Sequence, residues 1–423
     1  MPEVVRTNQI LFDECPVTWS GLLDGAERKG LASRLREADR PAAIVVDDAR
    51  AAFEAVALLA GGEWDGMMLG RERLSPAVRE MLSNSGYAVI DAASGEVGVP
   101  KVPARTVAGR IALLTSGSTG VPKLVQHQWN TLFTGRNMQR VSARRWLVPY
   151  QAGTYAWYQV VTLGLFQKDQ TLIPVDVSDL VRLFQVAGRT RADSISATPT
   201  FWRQAMLSVP RADLQAVPFR SITLGGETAD RKILDWLLAL YPSAQLTHIY
   251  ASTEAGACIV VKDGQAGFPA GILERNDPSL PEVKLQDGRL WVRSPYSSRA
   301  AEGRADSWID TGDLVERRGD RVFFVGRADS AMINVGGNKA YPADIEAVLL
   351  AHPAILWCRV RGVKSPFVGN LPEADVFFAE GRPAPEETDL VAFCKGKLPE
   401  YAIPRFWNRL ESIPLQSTLK SPL

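Results

Sequence analysis

The run Ile111-Ala112-Leu113-Leu114, followed by Thr115-Ser116-Gly117-Ser118-Thr119-Gly120-Val121-Pro122-Lys123, constrains this chain more than any other stretch. Consecutive apolar residues ahead of a glycine-rich break read as a short buried strand. The segment after it is rich in groups suited to an oxyanion. Glycines let backbone N–H groups turn inward, hydroxyls hydrogen-bond oxyanions, and the lysine adds positive charge. Such a loop suits a polyphosphate. It differs from GxxxxGK[ST], because Pro122 precedes the lysine and Leu124 follows it. A plain flexible turn is the competing reading, and it leaves so many special residues after a buried strand unexplained.

At 423 residues the chain can hold two or three domains with sizeable cores. Hydrophobic content of 46% and charged content of 22% are those of an ordinary soluble protein. A net charge of +1 sets up no global field toward nucleic acid or anionic membrane, so neither partner is expected. The basic cluster Arg140–Arg145 reads as a solvated face. Cys15, Cys258, Cys358 and Cys394 lack metal spacing, and the N-terminus lacks the form of a secretory signal. Both features point to reduced thiols in a cytoplasmic protein. No apolar run reaches membrane-span length.

Ahead of the loop, strand and helix signals alternate. Ala42–Val46 is a buried-strand run, and Ala51–Leu59 is apolar at helical spacing and stops at Gly61-Gly62. Pro76–Leu82 predicts another helix and Tyr87–Ile90 another strand, which together imply α/β layering. Behind the loop, Ser221-Ile222-Thr223-Leu224 is a strand ending in Gly225-Gly226-Glu227. Glycines there permit close backbone approach to a flat ring. In Tyr250-Ala251-Ser252-Thr253-Glu254 a carboxylate adjoins a hydroxyl, a pairing suited to a hard cation that bridges phosphates.

The segment TSGSTGVPK resembles the phosphate loop of the adenylate-forming superfamily, which includes acyl- and aryl-CoA synthetases, adenylation domains of peptide synthetases and luciferases. Ordered motifs extend the resemblance from about residue 108 to the C-terminus. It implies that Thr115, Ser116, Gly117, Ser118, Thr119, Gly120 and Lys123 cradle phosphates, and that Gly225, Gly226 and Glu227 lie beside adenine and the acyl group. It further implies that Tyr250 stacks on adenine, Thr253 contacts the α-phosphate and Glu254 holds Mg²⁺. In Trp308-Ile309-Asp310-Thr311-Gly312-Asp313, the last carboxylate is the implied acceptor for both ribose hydroxyls, a bidentate task. Arg327 is implied to reach the nucleotide, Asp329 to be a hinge, and the Gly336-Gly337 loop to face the thiol acceptor. Lys420 is implied to close over the reacting oxygens, against the alternative of a disordered basic tail. Tyr155 is the implied neighbour of the acyl substrate, with an aromatic core helix as the alternative, and His127 reads as structural. The chain departs from the pattern at Ala251 and Leu419, where glycine is usual, and in an abbreviated N-terminal region.

The implied fold is α/β: a large domain of packed sheets and helices over residues 1–326, then a small mobile α+β lid over 327–423. The implied reaction joins a carboxylic acid to AMP from ATP with Mg²⁺, then transfers the acyl group to the thiol of CoA. A carrier-protein phosphopantetheine arm is the second acceptor, and a non-catalytic nucleotide-binding protein is the reading from a different class. The resemblance is compatible with a homodimer.

Overall fold

The computed structural model describes residues 1–103, 107–115, 123–137, 142–277, 279–301, 303–304, 307–328, 332–336, 338–365, 369–379 and 384–414. Among these residues the strands form four sheets. The first has six strands in the order Val97–Gly98, Ala88–Asp91, Ala42–Val46, Gly66–Gly70, Arg110–Thr115 and Lys123–Gln128. Its central strands are parallel, as the alternating strand and helix signals predict. The helix expected from Ala51 begins two residues earlier, at Ala49, because Asp48 caps it: the Ala51 amide donates to Asp48 Oδ1 at 2.8 Å. The helix Pro76–Asn84 is capped by Ser75 and starts on proline, whose fixed φ suits the first turn.

Period-two alternation sorts the faces of this sheet. Ala42, Ile44 and Val46 enter one large core, whereas Ala43 and Val45 pack on the other face with Val78 and Leu82. The large core is shared with a second sheet of eight strands. That sheet is parallel in its middle, where Ser194–Ala197, Ser221–Gly225 and Gln245–Ser252 lie side by side. The helix Tyr155–Phe166 lies in the shared core, with Trp157, Tyr158, Val160, Val161 and Leu165 buried. Its approach to the first sheet requires Gly153: φ is +79° there, and a Cβ would stand 2.2 Å from the Met68 carbonyl oxygen.

On its other side the second sheet is covered by the helices Leu180–Arg189, Pro199–Ser208 and Arg231–Leu240, where an aromatic cluster fills the layer. Trp202 is its hub, with ring centroids of Phe184, Phe201, Phe219 and Tyr241 at 5.9, 5.6, 6.0 and 6.0 Å. A third, antiparallel sheet of five strands includes Arg289–Arg293, Ile309–Arg318 and Arg321–Arg327.

The fourth sheet belongs to a smaller C-terminal domain. Its core joins Ile333, Ile345, Leu349, Ile355, Val376 and Leu390 among others, separate from the large core. Hydrogen bonds from the large domain reach it. Lys232 Nζ reaches the carbonyls of His352 and Ile355, the latter at 3.1 Å, and Gln204 Nε2 reaches the Ile413 carbonyl at 2.6 Å. The architecture is the mixed α/β arrangement, large N-terminal and small C-terminal, that the sequence implies.

Truncating the aromatic hub tests this packing. Trp202→Ala removes a side chain with no exposed surface and is expected to cost about 3–5 kcal/mol. Trp202→Phe should cost much less, because the indole Nε1 has no hydrogen-bond partner among the described residues. Denaturant unfolding midpoints check the ordering, and an unchanged midpoint for Trp202→Ala would contradict it.

Candidate functional site

The strand Arg110–Thr115 turns back into Lys123–Gln128 as an antiparallel pair, with Thr115 opposite Lys123 at the mouth of the glycine- and hydroxyl-rich loop. Ser116, Gly117, Ser118, Thr119 and Gly120 lie outside the described residues, as do Asp329, Gly337 and Lys420. The flanks are well defined. Lys123 is exposed, and the Thr115 hydroxyl is buried with no hydrogen-bond partner among the described residues. Arg73 steadies the strand end: its Nη2 donates to the Leu114 carbonyl at 3.1 Å. Nothing in the spacing of the sequence marks Arg73 for this place.

The second sheet brings its own strand ends to the site. Gly225 is paired with Ile249, which sets the glycine pair beside the exit of the strand that carries Tyr250. Gly226 has φ +81°, and the Glu227 Oε2 accepts from the Thr200 amide at 3.0 Å. In an open parallel sheet, ligands bind outside the carboxyl ends of the strands, where these motifs fall.

Beyond Ser252 the chain makes a tight turn whose peptide groups are individually held. The Ala255 amide donates to Ser252 Oγ at 3.0 Å. The Ser298 amide and hydroxyl both donate to the Glu254 carbonyl, at 2.9 and 3.2 Å. The Thr253 carbonyl is 2.6 Å from His127 Nε2. Gly256 closes the turn at φ +80°, where a Cβ would meet Tyr296 at 2.7 Å. Glu254 is left exposed, and among the described residues its carboxylate takes no hydrogen bond or ion pair. A divalent cation bridging phosphates needs one or two protein carboxylates, with phosphate oxygens and water completing its shell. Glu254 fits that requirement. No group of three or more His, Cys, Asp or Glu able to hold a metal by itself exists among the described residues, so a cation here would depend on the nucleotide.

His127, read as structural, is fully buried, and burial lowers its pKa to about 4. The ring is therefore neutral at physiological pH. A carbonyl only accepts, so Nε2 carries the proton toward Thr253, and Nδ1 accepts from the Thr131 hydroxyl at 3.0 Å. Tyr155 begins the helix Tyr155–Phe166, and its ring lies 6.0 Å from that of His127. Its hydroxyl is buried near Cys258, and the Ala257 backbone approaches it outside hydrogen-bond geometry. Burial holds the phenol well above its ordinary pKa.

The third sheet supplies the carboxylate. Thr311, Gly312 and Asp313, a sequence that also reads as a turn, lie inside the strand Ile309–Arg318, where the register against the neighbouring strand jumps. Asp310 faces Trp291 and Leu314 faces Arg289, so the intervening residues bulge, with Gly312 at φ +76°. The bulge aims Asp313 at Tyr250, whose hydroxyl donates to Asp313 Oδ2. Arg327, opposite Asp313 across the strand pair, donates from Nη1 to Oδ1 at 3.2 Å. Burial, then the Asp313 charge, push the Tyr250 phenol far above its ordinary range, so it remains a donor. Phe324 stacks on Tyr250 at 4.7 Å and 23°, a partner visible in the sequence only as one of two adjacent phenylalanines. Gly336, φ +58°, starts the turn of the hairpin Ile333–Val335 to Asn338–Ala340 in the small domain.

Tyr250, Thr253, Glu254, Gly225, Gly226, Glu227, Asp313 and Arg327 thus fall on neighbouring strands and turns, and His127 connects them to the strand of Lys123. The family model of the AMP-binding enzyme matches residues 35–299, and that of the AMP-binding enzyme C-terminal domain matches residues 344–420. A 2-succinylbenzoate–CoA ligase of Bacillus velezensis is 29% identical over 342 residues, covering 73% of this chain and 66% of that protein. The chain therefore spans about two-thirds of the length of this curated relative. In fold it is similar to o-succinylbenzoate CoA synthetase from Bacillus subtilis in complex with ATP and magnesium ion, with a TM-score of 0.68 at 21% identity over 99% of this chain and 96% of that one. The anthranilate CoA ligase AuaEII in complex with anthranoyl-AMP gives a TM-score of 0.73 at 16% identity, over 99% and 93% of the two chains. With one model spanning more than half of the residues and the nucleotide motifs gathered on adjoining strand ends, the chain belongs to the AMP-binding enzyme family.

Proposed function

We propose that this chain is an acid–thiol ligase. It activates a carboxylic acid with ATP, giving an acyl adenylate and pyrophosphate, and then transfers the acyl group to the thiol of CoA with release of AMP. The observation that carries the reading is Asp313, held between Tyr250 and Arg327 one short stretch of strand away from Thr253 and Glu254. That arrangement offers an aromatic face, a carboxylate acceptor and an exposed carboxylate, one group each for the base, the ribose and the cation-bound phosphates of a nucleoside triphosphate. The relatives' names as CoA ligases and a fold neighbour that binds ATP and magnesium favour the same reading. Four free thiols favour a reducing cytoplasm as its place of action.

Such a reaction asks the protein for positioning and charge neutralisation more than for covalent chemistry. Asp313 accepts the ribose hydroxyls, and the Tyr250 ring and the Gly225-Gly226 backbone bracket the base. Thr253 donates to the α-phosphate, while Lys123 and the loop hydroxyls take the departing phosphates. A divalent cation on Glu254 would supply charge neutralisation at those phosphates. Lys420 steadies the carboxylate and α-phosphate oxygens during adenylate formation. The small domain then turns about Asp329, and the hairpin at Gly336-Gly337 faces the incoming thiol, a hinge motion. Gly226 and Tyr155 border the acyl group. ATP–pyrophosphate exchange across a carboxylic-acid panel tests the reading. Exchange without thioester from CoA would move the acceptor to a carrier-protein arm, and binding without exchange would make this a nucleotide-binding protein.

Two substitutions sharpen the test. Glu254→Ala should lower adenylation by orders of magnitude while leaving the melting temperature in place, because the residue is exposed; near-normal turnover at ordinary Mg²⁺ would refute its role. Lys420→Ala should lose ~10²-fold in adenylation, the scale for removing one positioned electrostatic donor. Given preformed acyl-AMP and CoA, the same variant should make thioester at close to the wild-type rate. Loss of both half reactions in a folded variant would contradict the two-arrangement scheme.

A further inference from the structure

The chemistry set out above makes no use of His127, yet this residue joins the two halves of the site. Lys123 and His127 share one strand of the first sheet, and Thr253 begins the turn after a strand of the second. One hydrogen bond of 2.6 Å, across 126 residues of sequence, connects them. We propose that His127 is a positioning residue for the metal-bearing carboxylate: by holding the Thr253 carbonyl, its Nε2–H sets where the next residue, Glu254, presents its side chain. The proposal rests on the reading of Glu254 as the cation's ligand.

The geometry makes the imidazole an unusually rigid donor. Its Nδ1 is engaged by the Thr131 hydroxyl, which is itself locked into the turn that follows the strand: it accepts from the Gln128 amide at 3.1 Å and lies 3.0 Å from the Gln128 carbonyl. The Tyr155 ring adjoins the imidazole. On the far side of the turn, Ser298 grips the Glu254 carbonyl. Two successive carbonyls are thus turned into the protein by donors from two separate segments, and the Glu254 side chain is what remains directed outward. If the His127 bond is lost, the Thr253 peptide can rotate, and the carboxylate moves relative to the strand that carries Lys123. A cation shared between Glu254 and the phosphates would feel that displacement directly. Outer partners that orient a ligand typically alter metal affinity 10–100-fold when removed.

A histidine that only fills the core would lower stability and leave metal affinity alone. The distinguishing measurement is Mn²⁺ binding, read by its EPR signal, to the full-length protein saturated with a non-hydrolysable ATP analogue. His127→Ala should weaken Mn²⁺ about 10-fold or more, with metal-free nucleotide affinity close to that of the wild type. His127→Gln, whose amide N–H can reach the Thr253 carbonyl from the Nε2 position, should restore most of it. His127→Asn places its donor at the Nδ1 position and should not, which keeps the comparison open if the alanine variant fails to fold. In a Glu254→Ala background, His127→Asn should have no further effect on Mn²⁺. Unchanged Mn²⁺ affinity in His127→Asn, alongside a loss in Glu254→Ala, would overturn the positioning role alone. Unchanged affinity in Glu254→Ala would overturn the metal ligand and the positioning role together.

Discussion

The arrangement of the site depends on one packing constraint: two sheets from different parts of the chain share a single apolar core. Ile44, Met68 and Leu113 of the first sheet meet Leu147, Leu172, Ile195 and Leu224 of the second through the helix Tyr155–Phe166. The contact is close enough that only glycine fits at residue 153, against the Met68 carbonyl. Because parallel strands bury both faces, each sheet can expose chemistry only at its ends. Packing the sheets together brings His127, on the strand that Lys123 begins, against the turn after Ser252. Site geometry here is a consequence of core geometry, and the bond from His127 to Thr253 is formed where the two meet.

Electrostatics then divides the site into a closed part and an open part. Asp313 is mostly covered and shares its charge between a phenol and a guanidinium, so it is oriented before any ligand arrives. A carboxylate held this way loses little freedom when it accepts a further donor, which would favour the proposed ribose contact. Glu254 is exposed, and among the described residues its carboxylate has no partner, so the proposed cation would have no ion pair to displace there. The two carboxylates have opposite environments, one fixed in place by its neighbours and the other open to solvent, which suits the opposite tasks proposed for them.

Much of this was legible in residues whose chemistry is local. Ala42–Val46 and Ser221–Gly225 announce themselves as strands through apolar continuity, and the helix starts at Asp48 and Ser75 through side-chain capping. Glu254 and Asp313 stand in short motifs that can be read from a few neighbouring residues. What the sequence could not display were contacts made across long separations. Arg73 reaches Leu114 from the short 3-10 turn that follows the strand Gly66–Gly70, and Phe324 stacks on Tyr250 from a different sheet. The bulge at Gly312 was hidden for a related reason: Thr311-Gly312-Asp313 has turn composition, and only pairing with Arg289–Arg293 on one side and Arg321–Arg327 on the other makes it a strand. Local propensity is a weak guide wherever two neighbours supply the hydrogen bonds.

The join between the two domains bears on the proposed hinge in the same physical terms. Lys232 and Gln204 reach carbonyl oxygens of His352, Ile355 and Ile413, and Leu207 packs against Trp357, Phe377 and Ile413. Neutral acceptors of this kind exchange protein donors for water at about 0.5–1.5 kcal/mol each, or somewhat more for the charged lysine. A buried ion pair across the join would be far harder to open, since separation would leave a charge stranded. The nearest strong pair, Arg203 with Asp230, lies wholly within the large domain and stays intact if the small one moves. The hydrogen bonds of Lys232 and Gln204 across the join are therefore of a kind that can be broken and remade, as the proposed alternation between two half reactions would require.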